Sequence, residues 1–365
     1  MKTRLFWYPL PEELIAQNPP EKRGDDRMMV LHRDTGVVEH SKTADFPSYL
    51  RPGDAVVVND TKVFPARLLG TWTDTGGAVE LLLVAPAPVD GGEIPGFGGD
   101  AFASYEWNCM AGSGRRRRAG LVASFGPCGE LRAEFLESLS GEGMWRVRFT
   151  CAEPLGALID RLGRTPVPPY VRREGTPEEE ARDRERYQTV YARLEGSVAA
   201  PTAGLHFTPE ILDAVRAAGA SILPVTLHVG PGTFRPVKAE NVEDHKMDFE
   251  AFSVPPETAA GIEACRAHGG RVFCIGSTVV RTLETVAAAH GGKIVPGEGA
   301  SDIFIKPPHR FLACDAMLTN FHLPQSTLLM MVSALAGRER ILCAYALAVR
   351  ARYRFFSYGD CMLIV

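Results

Sequence analysis

The chain has 365 residues, a length that favours two domains over a single small module. Hydrophobic residues make up 45% of it and charged residues 23%, which excludes a disordered or fibrous protein. The formal net charge of −4 argues against non-specific binding of nucleic acid, which needs a basic surface, but it leaves room for a local basic patch.

The sequence carries no pattern of a membrane or secreted protein. Its longest nearly uncharged apolar run, 328–336, is about half of the roughly 20 residues that cross a bilayer. The start, MKTRLFWYPLPEE, meets prolines and glutamates where a secretory signal would be apolar. We therefore expect a cytoplasmic protein.

The eight cysteines are dispersed, and no two of them are separated by only two residues. This spacing is not that of a zinc ribbon or an iron–sulfur cluster, and several cysteines lie in apolar runs such as RVFCIGS. The sequence predicts free thiols and no metal site.

Strand patterns fill the first third of the chain. MMVLHR and VVEHSK flank the turn Asp34–Gly36 and predict a β-hairpin. The strand AVVVND follows and ends in polar residues at 59–61. From about 66 to 150, short alternating strands with glycine-rich turns predict a small all-β barrel, with 86–100 as an exposed inserted loop. The arginine run 115–118 is most simply a solvated loop of that barrel.

After residue 150 the pattern becomes mixed α/β. Thr208 caps a helix, EILDAVRAAG, that precedes the strand SILPVTLHVG. A second unit follows, with helix PPETAAGIEACRAH, strand RVFCIG and helix TVVRTLETVAAAH, and the segment 326–354 predicts one or two helices broken near Gly337. Alternation of this kind favours a partly parallel sheet covered by helices.

Six polar segments lie beside apolar strands, where sites of α/β folds form. They are NDTKVFPARL (59–68), AAPTAGLHFT (199–208), TLHVGPGTFRPV (226–237), STVVRTLE (277–284), SDIFIKP (301–307) and LTNFHLPQSTLLM (318–330).

The strongest of them opens a helix with Ser277 and Thr278, because free backbone donors at a helix start favour a carboxylate, phosphate or ribose oxygen. The alternative is purely structural: Ser277 or Thr278 caps the helix and Arg281 pairs with Glu284 one turn on. The residues alone leave both open.

His206 and His228 occupy short polar loops and are candidates for proton transfer, with a structural role as the alternative for each. His322 has the alternative of bonding backbone in a tight turn, and Asp302 that of capping a turn. The glycines of HVGPGTF have the alternative of serving the turn alone.

Taken in order, these segments resemble a known family. NDTKVFPARL, DRERYQTVYA, APTAGLHFT, TLHVGPGTFRPV, RTLE, SDIFIKP, TNFHLPQSTLLM, AGRERIL and RYRFFSYGDCMLI are similar to the S-adenosylmethionine:tRNA ribosyltransferase-isomerases of queuosine biosynthesis. The resemblance extends from Tyr8 to the last residues, and many ordered blocks are far more specific than any one of them.

The resemblance implies an α/β main domain with a mixed sheet, formed by 1–65 and 151–365, and an inserted small six-stranded antiparallel β-barrel at 66–150. It implies S-adenosylmethionine as the ribosyl donor substrate, and tRNA carrying 7-aminomethyl-7-deazaguanine at the wobble position as the acceptor. Epoxyqueuosine-tRNA, adenine and methionine are the products. It implies no metal or redox cofactor, and we expect a monomer without a membrane partner.

Under this resemblance we expect His206 or His228 to handle a proton. The expected substrate-binding residues are Asp60, Arg67, Thr202, Gly230, Thr233, Thr278, Arg281, Asp302, Asn320 and His322. We expect Arg172, Arg173 and Arg184 to contact tRNA phosphates.

Three other functions fit the sequence less well than this prediction. A conventional methyltransferase would show an early glycine-rich strand-to-helix loop, and no G-x-G loop stands in that context. A radical enzyme would need clustered cysteines. An RNA-binding module without catalysis would read tRNA through the barrel and the arginines, but overall acidity and the dense polar strand ends argue against it.

Overall fold

The structure is a computed structural model that describes residues 1–87, 101–112, 118–140, 143–234 and 237–365. Most of the predicted loop 86–100 and most of the arginine run 115–118 lie outside these residues.

Seventeen strands occur within the described residues. They are β1 Arg27–Leu31, β2 Val38–Lys42, β3 Ala55–Asn59, β4 Thr61–Val63, β5 Arg67–Trp72, β6 Ala78–Pro86, β7 Glu106–Ala111, β8 Val122–Phe125, β9 Leu131–Ser140, β10 Met144–Cys151, β11 Leu194–Ser197, β12 Ser221–Leu227, β13 Glu250–Val254, β14 Val272–Ile275, β15 Gly297–Ser301, β16 Ala316–Asn320 and β17 Cys361–Ile364.

Seven α-helices of the same residues accompany them. They are α1 Leu155–Leu162, α2 Pro177–Arg186, α3 Pro209–Ala217, α4 Pro256–Ala267, α5 Ser277–Ala289, α6 Thr327–Ala336 and α7 Arg338–Arg350. None of them is both long and apolar enough to cross a bilayer.

Nine of the described strands form one mixed sheet in the order β15-β13-β12-β3-β14-β16-β17-β1-β2. The central strands β12, β3, β14 and β16 are parallel. The carboxyl ends of parallel strands meet at one edge of a sheet, where α/β proteins bind ligands. We call this the carboxyl edge.

The central strands β3, β14 and β16 are buried on both faces, as parallel strands require. Val57 of β3 packs with helices α4 and α5 in one hydrophobic cluster, whereas Val56 and Val58 pack with α3 and Phe46 in another. The uninterrupted apolar run of AVVVN therefore reflects helices on both sides.

The second sheet is a closed antiparallel barrel in the order β10-β7-β6-β5-β8-β9, counted over the described strands. Its interior is filled by large apolar side chains, among them Trp107, Phe125 and Phe135. Gly70 permits its closure, because a Cβ there would lie 2.3 Å from the backbone oxygen of Ser124 on the neighbouring strand β8.

The predicted fold class is confirmed: a mixed α/β sheet is combined with a six-stranded antiparallel barrel. The predicted hairpin is confirmed as β1 and β2, and Thr208 caps α3 by accepting from the Ile211 amide. The predicted break near Gly337 is confirmed as well, since Gly337 separates α6 from α7 with a φ of 90° that favours glycine.

Candidate functional site

The carboxyl edge carries a groove formed by two adjoining cavities of about 70 and 50 Å³, which share Val229, Ser277, Thr278 and Leu328. Ser277 and Thr278 open helix α5 directly after strand β14, and Leu328 lies in the first turn of α6 after strand β16. The groove thus lies across the ends of two neighbouring parallel strands. We call it the edge groove.

Arg281 lines the edge groove and is almost fully buried. Its guanidinium donates to the carboxylate of Glu250 on β13 and, at 3.0 Å, to the Ser301 carbonyl oxygen, while its Nε has no partner among the described residues. The Glu250 carboxylate also accepts from the Gly230 amide at 3.0 Å. Burial raises the pKa of Glu250, and the neighbouring Arg281 opposes that rise.

The structural alternative for this segment is wrong. Arg281 does not pair with Glu284, because Glu284 accepts from the backbone amides of 312–314 at 2.8–3.1 Å. Gly276 is the N-cap of α5, and neither Ser277 nor Thr278 caps the helix with its side chain. The Thr278 hydroxyl instead accepts from Asn59 Nδ2 at 3.1 Å.

Asn320 and His322 form another part of the groove wall, with Thr202 beside them. The Thr202 hydroxyl donates to Asn320 Oδ1 at 3.3 Å. His322 is buried, its Nε2 lies 3.1 Å from the Thr319 hydroxyl, and burial lowers its pKa to about 3. His322 is therefore neutral at physiological pH.

His206 stands at the end of a short 3-10 helix, Thr202–His206, with both ring nitrogens engaged. Its Nδ1 lies 2.9 Å from the carboxylate of Asp26, and its Nε2 accepts from Asn320 Nδ2 at 3.2 Å. Asp26 also pairs with Arg354 at 3.0 Å. Because a carboxylate only accepts, Asp26 holds the proton on Nδ1 and leaves the Nε2 lone pair on the Asn320 side.

His228 follows strand β12 and shares a hydrogen bond of 2.7 Å between its Nδ1 and the Thr61 hydroxyl. Burial lowers its pKa to about 4. The ring lies against Gly196, where an added Cβ would come within 2.7 Å of it, so only glycine leaves space for this histidine.

The end of strand β3, at Asn59 and Asp60, bonds residues that adjoin or line the groove. Asp60 is buried, accepts from the Thr226 hydroxyl at 2.6 Å and pairs with Arg193 at 2.8 Å. Asn59 donates to the Leu227 carbonyl oxygen at 3.0 Å and accepts from the Leu227 amide. Asp60 lines neither cavity of the groove, and its carboxylate bonds other side chains of the protein.

Two further expected site residues do not line the groove. Arg67 is on the barrel strand β5 and pairs with Glu80 at 2.8 Å. Asp302 is exposed and is not a lining residue of either cavity. The side chain of Thr233 lies outside the described residues.

The three arginines expected to contact tRNA differ in what they can offer a ligand. Arg173 is partly buried and makes two bonds to the Asp183 carboxylate, at 2.7 and 2.9 Å. A phosphate contact of Arg173 stays a prediction, and a phosphate would compete there with this carboxylate. Arg172 is exposed and pairs with Glu12, and Arg184 is exposed and donates to the Asp160 carbonyl oxygen at 2.9 Å.

Sequence reasoning missed Asp26, Glu250 and Arg354. Each bonds a partner that is distant in the sequence: Arg281 and Glu250 are 31 residues apart, and Arg354 and Asp26 are 328 apart. Asp26 had one weak signal, its position two residues before a predicted strand. Glu250 lay outside all six polar segments and had none.

The family of queuosine biosynthesis proteins matches the chain over residues 3–364. The chain belongs to this family. Curated relatives named S-adenosylmethionine:tRNA ribosyltransferase-isomerase come from Moorella thermoacetica and Symbiobacterium thermophilum. They are 50% and 49% identical to the chain, and each alignment covers 100% of both proteins.

A solved structure agrees with the sequence relatives. The S-adenosylmethionine tRNA ribosyltransferase of Thermotoga maritima is 33% identical, with a TM-score of 0.53, over 99% of this chain and 100% of that one. The family member described here is thus an enzyme, a transferase and isomerase of queuosine biosynthesis.

Proposed function

We propose that this enzyme transfers and isomerises the ribosyl moiety of S-adenosylmethionine onto 7-aminomethyl-7-deazaguanine in tRNA, giving epoxyqueuosine-tRNA and releasing adenine and methionine. The observation that carries the proposal is identity of 50% over the full length with a relative of that name. S-adenosylmethionine is a substrate in this proposal, and no cofactor takes part. The enzyme acts as a cytoplasmic monomer.

The edge groove suits the donor substrate. The first amides of α5 point out of the helix start without a side-chain cap, and one turn on the Nε of Arg281 is a donor without a partner among the described residues. These are the groups that hold a carboxylate, here that of the methionine part. The proposal assigns contacts with ribose or adenine atoms to Thr278 and Asn320, which line the groove.

Proton transfer is assigned in this proposal to His206, with His228 as the second candidate. The sulfonium acidifies the adjacent 5′ carbon, so a positioned base takes the 5′ proton and leaves an ylide. His206 fits this role because Asp26 orients its ring and stabilises the positive charge that forms on protonation.

The remaining bonds change in sequence. The C5′ electron pair forms a C4′=C5′ double bond as the ring C4′–O bond breaks. The freed oxygen becomes the C1′ aldehyde as adenine leaves with the electron pair of the glycosidic bond and takes up a proton. The amine of the 7-deazaguanine then adds to C4′ and loses its proton, and the electron pair returned to C5′ forms the C–C bond to the aldehyde carbon, which leaves an alkoxide on C1′. An alkoxide finally closes the epoxide by displacing methionine, which carries away the electron pair of its C–S bond. Positioning and electrostatics support each step.

The test is product analysis. The enzyme is incubated with S-adenosylmethionine and tRNA carrying the aminomethyl base, with unmodified tRNA as the control. Adenine release that depends on the modified base supports ribosyl transfer. S-adenosylhomocysteine would show a methyltransferase, and tRNA binding without either product would show an RNA-binding protein without catalysis.

A further inference from the structure

A third cavity lies beside the edge groove, and Ser357 lines both. Arg23, Arg186, Asp26 and His206 line this cavity together with Pro20. His206 also connects the two spaces, because its Nε2 accepts from Asn320 of the groove wall. We call it the arginine cavity.

The two arginines of this cavity are held by backbone oxygens and not by carboxylates. Arg23 Nη1 donates to the carbonyl oxygens of Gln188 and Leu205, at 2.9 and 3.1 Å. Arg186 donates to those of Pro20 and Glu21, at 2.7 and 3.2 Å. Within the described residues neither guanidinium forms an ion pair, so both charges are oriented and unneutralised.

The acid in the cavity, Asp26, forms no ion pair with Arg23 or Arg186 among the described residues. Asp26 is committed to His206 and to Arg354, which brings a third cation of its own. Burial, and after it the nearness of Arg186, lower the pKa of Arg23, whereas Tyr191, Asp26 and Glu185 act in the opposite direction. Holding two guanidinium groups together without a carboxylate paired to either of them costs free energy that an anionic ligand would offset.

The N–H groups of the two arginines that have no partner in the described part of the chain, and the small size of the arginine cavity, indicate which ligand it binds. Nε and Nη2 of Arg23 and Nε of Arg186 have no partner among the described residues. The cavity is small, about 10 Å³ against about 70 and 50 Å³ for the two cavities of the edge groove, which favours a small anionic group over a nucleobase. A phosphate is such a group, and arginine forks match phosphate geometry.

We infer that Arg23 and Arg186 bind a backbone phosphate of the tRNA next to the nucleotide whose base occupies the edge groove. This inference rests on the proposed function and is separate from the predicted phosphate contact of Arg173. It places the RNA backbone on the side of the groove where Ser357 and His206 lie, so that the reactive base enters between this side and helix α5.

The experiment measures tRNA affinity of the full chain as a function of KCl concentration by fluorescence anisotropy. Arg23→Gln and Arg186→Gln are each expected to weaken tRNA binding about tenfold. Each should also reduce the slope of log affinity against log salt by about 0.7 to 1, the value of one lost phosphate contact. The KM for tRNA should rise while the KM for S-adenosylmethionine stays within twofold.

Arg216→Gln is the matched control, since Arg216 is exposed on α3, pairs only with Asp213 among the described residues and lines none of the three cavities. It should change neither the affinity nor the slope. Arg23→Lys retains the charge, so it should restore most of the salt slope even where the loss of the carbonyl contacts perturbs the loop. Circular dichroism confirms the fold of each variant.

Two results would overturn the inference. One is an unchanged affinity and slope in both folded glutamine variants. The other is a raised KM for S-adenosylmethionine with unchanged tRNA binding, which would make the bound anion the methionine carboxylate. Failure of the proposed function is separate: the wild type would then release no adenine, while its tRNA binding would still depend on Arg23.

Discussion

The barrel and the carboxyl edge of the sheet use charge in opposite ways. On the barrel, pairs such as Arg67–Glu80 and Arg148–Glu106 join neighbouring strands with side chains about a quarter to half exposed. At the edge, Arg281–Glu250 and His206–Asp26 are almost fully buried. Exposed pairs add little stability and maintain solubility, whereas buried ones cost desolvation that only packing or function repays.

The difference indicates that the reactive groups of the protein lie at the carboxyl edge of the sheet and not in the barrel. Within the described residues the barrel interior is apolar and aromatic, while the edge holds buried amide, hydroxyl, carboxylate and imidazole groups that bond one another. A site with such a network is oriented before the substrate arrives. Three predictions test this comparison.

The largest expected effect is on turnover. His206→Asn keeps a donor for Asp26 but removes the base, so adenine release should fall by about 10²- to 10⁴-fold. His228→Asn, which retains a group at the Nδ1 position, should have the smaller effect. The control is His268→Asn, because His268 is exposed and bonds only the Ala264 carbonyl oxygen among the described residues. Near-normal turnover in both His206→Asn and His228→Asn would rule out these two residues as the base.

The second effect is on stability. Arg281→Met leaves Glu250 buried without its cation and should lower the free energy of unfolding by about 3 to 5 kcal/mol. Arg148→Met removes an exposed barrel cation and should leave the free energy of unfolding almost unchanged. Urea unfolding followed by circular dichroism measures both. Equal losses in the two variants would show that burial does not distinguish these pairs.

The third effect is a pH dependence confined to the α/β part. The folded pKa of His228 is lowered to about 4 from an ordinary 6.5, so between these values the unfolded chain binds a proton that the folded chain does not. Stability is therefore complete above about pH 6.5 and falls as the pH decreases toward 4, by up to about 3 kcal/mol for this residue. The His228→Asn variant should lose that part of the pH dependence.

The barrel supplies the internal control for this measurement. None of the nine histidines lies in 66–150, and three of the four tryptophans do. Tryptophan fluorescence therefore reports mainly on the barrel. We expect acid to lower the midpoint of unfolding less when it is followed by fluorescence than when it is followed by circular dichroism. If both signals shifted equally and His228→Asn changed neither, the depressed pKa would not govern acid stability.

Sequence reasoning predicted those elements whose causes are local. The hairpin, the Thr208 cap and the break at Gly337 each depend on a few adjacent residues. It did not predict the partners of Arg281 and His206, because Glu250 and Asp26 come close to them only once the order of the strands in the sheet is known. The spacing of Arg281 and Glu284 on one helix favoured a pair that the fold does not form, since three backbone amides from 312–314 compete for that carboxylate.

The position of strand β17 has a consequence for the order of folding. In the sheet, β17 is the neighbour that connects the hairpin β1-β2 to β16, so the described sheet receives residues 27–42 only after residues 361–364 are in place. Asp26, which directly precedes β1, therefore meets His206 late. The barrel closes from strands between residues 67 and 151 and has no such delay. Pairing over so long a stretch of chain is slow. We expect a growing chain to fold its barrel early and to acquire a complete site only as one of its last events.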